Sequence, residues 1–70
     1  MTLIMSHSSV HDKREDLAGE LWTVAGLLAD EGRTFSALKC REMAVAIKNG
    51  EITLAKATRG LCHYENLIGA

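Results

Sequence analysis

Leu17, Leu21, Val24 and Leu28 recur at steps of four, three and four, and Ala18, Trp22, Ala25 and Ala29 repeat those steps one residue later. At 100° per residue the eight positions cover an arc of roughly 160°, too wide for a simple two-helix seam. Ser9 and Asp12 both qualify as N-caps, and Glu15, three residues after Asp12, completes a capping-box spacing. Gly32 falls where a left-handed C-terminal cap belongs. The pattern predicts a long helix over 10–31, onto which the rest of the chain folds.

A second helix is predicted over 35–48, capped by Thr34 or Ser36 and stopped by Asn49 and Gly50. Ala37, Cys40, Ala44 and Ile47 share one face, flanked by Met43. Leu38 and Val45, seven apart, occupy another side with Arg41 on their flank. A helix apolar on two sides is sandwiched between neighbours or shared with another chain. The short connection Asn49-Gly50-Glu51 suits an antiparallel helical hairpin. Thr53 then caps a third helix, predicted over 53–68, with Ile52 placed as a hydrophobic staple. Leu54, Ala57, Leu61, Tyr64 and Ile68 form a single narrow stripe along it. Gly60 weakens its middle, so a packed but fraying element is expected.

The fold class is therefore all-α: a compact three-helix domain over 10–70, made of a long first helix and a helical hairpin, preceded by a flexible arm at 1–9. Seventy residues lie near the lower limit for an unaided core. With two cysteines, Cys40 and Cys62, and an opening MTLIM too short for a secretory segment, a cytoplasmic setting with free thiols is expected. No apolar run reaches membrane-spanning length. The extra burial is expected to come from a homodimer or another protein.

Net charge is −1, unevenly spread. Residues 12–31 carry six acidic side chains against Lys13 and Arg14, whereas 33–48 carry Arg33, Lys39, Arg41 and Lys48 against Glu42. An acidic helix beside a basic one favours that pairing only modestly, because exposed pairs contribute little. The basic segment also admits a nucleic-acid surface, although no net positive charge gathers phosphates.

Candidate chemistry is sparse. Ser6, His7, Ser8, Ser9, His11 and Asp12 have a triad's composition but are neighbours along the chain, without the converging scaffold a nucleophilic site needs. His7 with His11, or Cys40, Cys62 and His63, lack the paired close spacings of zinc sites. The carboxylate pairs Glu15–Asp16 and Asp30–Glu31 flank helix ends without an apolar pocket. No enzyme activity, metal or cofactor is expected.

Five positions are singled out as partner contacts: Arg14, Trp22, Leu38, Arg41 and Val45. Trp22 is the only Trp in a domain with little interior to hide it, and it is read equally as a core cap or an interface anchor. Arg14 projects into the middle of the apolar arc, either snorkelling to water or lying at an interface edge. Leu27 lies among polar residues, and Gly19 and Gly26 align on the outer face, where small residues admit another backbone.

The sequence thus points to a small non-enzymatic protein-interaction module, of the accessory or inhibitory kind a virus or plasmid encodes, binding a host protein through a helix face. The alternative is a small helix-turn-helix-like DNA-binding regulator over 42–61. There Gly50 would be the turn glycine and Ala46 the small residue before it, with Lys56, Arg59 and His63 facing DNA.

Overall fold

The computed structural model describes the backbone of residues 2–70 and the side chains from Asp12 onward. It contains three helices, α1 Thr2–Asp30, α2 Thr34–Lys48 and α3 Leu54–Leu67, in an all-α arrangement with no strand among the described residues. α1 starts well before the predicted residue 10. Ser9 and Asp12 are therefore interior helix residues and not its cap. No Gly or Pro interrupts residues 2–12, and adding a turn to an existing helix carries no nucleation cost. The mobility expected of residues 1–9 lies outside the described side chains.

Both interhelical connections turn on a left-handed glycine. After α1, Gly32 takes φ +84°. Its N–H donates to the Ala29 carbonyl at 3.0 Å, and the Arg33 N–H donates to Leu28 at 2.9 Å. After α2, Gly50 takes φ +78°, with Gly50 N–H to Ile47 at 3.1 Å and Glu51 N–H to Ala46 at 2.8 Å. Each pair of bonds is a Schellman closure, which satisfies carbonyls the helix end leaves open and needs a residue without Cβ strain. The start of α2 differs from expectation: Arg33, and neither Thr34 nor Ser36, is its N-cap, with no side-chain cap bond. Thr53 caps α3 as predicted, its Oγ1 accepting from the Lys56 N–H at 3.0 Å.

The three helices share one apolar cluster. Leu21 and Leu28 of α1 and Cys40 and Ile47 of α2 are fully enclosed, joined by Ala18, Val24, Ala25, Ala37, Ala44, Ala57 and Leu61. Leu17, Met43, Ile52, Leu54, Tyr64, Leu67 and Ile68 pack around them, half-buried. The alanines of α1 and α2 let those two backbones come close, and the Cys40 thiol donates to the Leu21 carbonyl at 3.1 Å. Ala29 and Trp22, both in the predicted apolar arc, are exposed. Where α3 meets α2, Gly60 faces Met43 so closely that a Cβ would overlap its Sδ and Cε.

Two polar clips tie the elements together. Arg14 Nη1 donates to the carbonyls of Ile47 at 3.4 Å and Ile52 at 3.1 Å, joining α1 to the α2–α3 connection. At the other end, both Glu31 carboxylate oxygens lie 3.2 Å from the Gly69 N–H. Arg33 donates to the Ala70 carbonyl at 3.1 Å and pairs with Glu31 at 3.5 Å. The end of α3 is thereby held to the α1–α2 corner.

Candidate protein-interaction surface

α2 buries Ala37, Cys40, Ala44 and Ile47, so the stripe rotated away from them faces outward. Leu38 and Val45 lie on that stripe, each nearly half exposed at 48% and 45%. Arg41, between them in sequence, reaches across to α1, where its guanidinium stands 5.5 Å from the centroid of the Trp22 ring. Trp22 keeps 46% of its surface open. Leu21 beside it and Ala25 three residues on are both fully buried in the core. A cation over an indole face is a favourable electrostatic contact, and it orients both groups at the α1–α2 seam.

Four of the five predicted contact residues, Trp22, Leu38, Arg41 and Val45, thus share one face. Arg14 does not join them, because its Nη1 is engaged with the α2–α3 connection.

Phe35 was missing from the sequence-derived set. It is the most exposed large apolar residue, at 71%, with Lys39 Nζ 5.4 Å from its ring centroid. The signal was available: Phe35 precedes Leu38 by three residues, the step that places both on one side of a helix.

Acidic and basic segments meet at the α1–α2 seam, where Glu15 and Lys48 line one pocket, and at the corner, where Arg33 pairs with Glu31. Lys39 pairs within α2 with Glu42 at 3.7 Å, and Arg41 is occupied by Trp22. Asp16 and Glu20 of α1 line a groove against α3 together with Glu65.

Cys40 is buried, and desolvation pushes its thiol above the ordinary range. Cys62 is exposed, 4.0 Å from Asn66 Nδ2. His63 stacks edge-on with Tyr64, ring centroids 5.1 Å apart. Among the described residues no group of three or more His, Cys, Asp or Glu could hold a metal ion. His7, His11 and the serines of the opening lie outside the described side chains. No described helix is long and apolar enough to cross a membrane.

Fold and surface together define an all-α three-helix domain with an exposed apolar and cationic face. The chain belongs to the family described as a domain of unknown function (DUF7273), whose pattern matches residues 6–70. No curated protein and no solved structure matches it.

Proposed function

We propose that this protein is a small non-enzymatic interaction module that binds another protein through the outer face of α1 and α2. The observation that carries the reading is Trp22, the chain's only Trp, held half exposed beneath Arg41. Tryptophan and arginine are the residues most enriched at binding hot spots, and a half-desolvated pair needs only a partner's surface to complete its burial. Phe35, Leu38 and Val45 extend the same face along α2 in a domain with little apolar surface to spare. A module this small acts by occupying a partner's surface, as accessory and inhibitory proteins of viruses or plasmids do. Self-association of α2 belongs to the same reading, as does a cytoplasmic setting in which Cys40 and Cys62 remain thiols.

The test is affinity capture from the native host with the parent chain and with Trp22→Ala, alongside thermal melts of both. A protein captured by the parent and lost with a variant that still folds supports the reading. Equal capture by both overturns it.

A second reading, DNA binding by residues 42–61, draws on Gly50, whose φ of +78° gives the sharp turn between α2 and α3, and on the exposed Lys56, Arg59 and His63 of α3. Salt titration of duplex binding separates the two readings. A steep fall in affinity with salt supports the DNA reading, and absence of binding at low salt removes it.

A further inference from the structure

The α1–α2 face leaves unexplained a second feature, an open groove between α1 and α3. Its floor is apolar, formed by Leu27, which is 45% exposed, and half-buried Ile68. Its rim is acidic, with Asp16, Glu20 and Glu65, and no basic side chain lines it. Gly19 sits in the wall where α1 is open to solvent: a Cβ there would meet no atom of the chain within 4 Å. That glycine is mid-helix, where Gly is unfavourable, and nothing inside the fold requires it. A closely approaching second backbone would.

The outer face of α2 has the complementary character. Phe35, Leu38 and Val45 are its exposed apolar residues. α2 as a whole carries Lys39, Arg41 and Lys48 against Glu42, with Lys39 paired to Glu42, Arg41 over Trp22 and Lys48 beside Glu15 at the seam with α1. The lengths agree as well. From Phe35 to Lys48 the stripe runs about 20 Å, and from Asp16 to Leu27 the groove runs about 17 Å, at 1.5 Å per helical residue. Run antiparallel to α1, α2 would bring Phe35 and Leu38 to Leu27 and Ile68, Val45 to the opening at Gly19, and Lys48 to Asp16.

We propose that the outer face of α2 in one copy docks into the acidic α1–α3 groove of the next, so that copies associate head to tail. The proposal rests on the reading of the α2 outer face as an interaction surface and names a second copy as its occupant. Because the two surfaces differ, the contact is heterologous: each bound copy still offers a groove at one end and a face at the other, and growth continues beyond two unless a ring closes. Its charge pairing also makes it salt-sensitive.

The experiment uses two variants of the full chain. One blocks the groove, Gly19→Gln with Glu20→Lys; the other blocks the face, Leu38→Glu with Val45→Glu. All four positions are exposed, and a thermal melt of each variant checks that it folds. A single Glu20→Lys substitution serves if the double change unfolds the chain. By sedimentation, the parent should grow past two copies with concentration, and its association should weaken about tenfold between low and high salt. Each variant alone should be monomeric. An equimolar mixture should form a two-chain species and stop there, since only one intact groove and one intact face remain between them.

A parent that stays monomeric overturns the proposal, as does a dimer that the groove variant leaves intact, which is the mark of symmetric α2–α2 pairing. So does a mixture of the two variants with no two-chain species. These results remove the head-to-tail contact alone; the interaction reading itself falls only if Trp22→Ala captures the same proteins as the parent.

Discussion

The Arg14 guanidinium donates to the Ile52 carbonyl at 3.1 Å, joining positions 38 residues apart. With the bond to Ile47 at 3.4 Å, it gives α1 a hold on the connection between the other two helices. Ile47 lies in the last turn of α2, where the helix dipole favours a cation, and Ile52 lies in the connection that follows. An arginine centred in an apolar arc is thus explained by what the arc packs against.

Arg14→Ala should therefore destabilise the fold by about 1–2 kcal/mol, through lost charge-assisted hydrogen bonds in a partly buried setting. Arg14→Lys keeps the charge near the helix end and should recover part of that. Urea melts of the three proteins provide the comparison, and equal midpoints would remove the clip from the account.

The two mid-helix glycines Gly19 and Gly60 should respond oppositely to alanine. At Gly19 a Cβ meets open space, so Gly19→Ala should stabilise the isolated chain by about 0.5–1 kcal/mol from helix propensity. At Gly60 the same change drives the end of Met43 out of the α2–α3 seam. The gain in propensity is then offset, and the net effect should be smaller or negative. Introducing Gly60→Ala after Met43→Ala should recover the difference, a coupling that a double-mutant cycle reads directly.

Trp22→Ala should cost less folding stability than a core truncation. Leu21 is fully buried, and Leu21→Ala is expected to cost about 2–5 kcal/mol. Trp22, nearly half open, should cost about 1–2 kcal/mol on the scale of its partial burial. Its loss from a binding hot spot should instead weaken a partner at least about thirtyfold. Melting and binding measured on one preparation separate the two effects. An unfolded variant would show that the indole supports the core after all.

Alkaline pH should destabilise the chain through Cys40. Burial raises its thiol above the ordinary 9.0, so the folded state favours the neutral form. Its contribution is whole below the unfolded value and is lost as pH rises through the folded one. Tyr64, raised from 10.0 first by burial and then by the charges of Cys40 and Glu42, acts in the same direction at higher pH. Cys40→Ser, which can still donate to the Leu21 carbonyl, should lose less stability between pH 7 and pH 10 than the parent does. A thiol reagent at neutral pH should label exposed Cys62 well before Cys40. Equal labelling rates would contradict the enclosed thiol.

The chain's periodicity carried most of the fold. Steps of three and four locate all three helices, and Gly32 and Gly50 mark their ends because only a residue without Cβ takes a positive φ cheaply. Thr53 is legible for the same reason, since a hydroxyl before an apolar stripe has an N–H within reach. Leu38 and Val45 are legible as an outward stripe because helical register is local.

Three things depended on the packed structure. The start of α1 did, since helix propagation past residue 12 needs no cap. The fates of Trp22 and Arg14 did too. Both fall within the same apolar arc of α1, yet one is left open under Arg41 and the other turns to the carbonyls of Ile47 and Ile52. Position around a helix says which side a residue faces; where a neighbouring helix ends on that side is set by tertiary packing. The groove beside Gly19 is of the same kind, because its acidic rim joins Asp16 and Glu20, one turn apart on α1, to Glu65 of α3, which no local spacing relates to them.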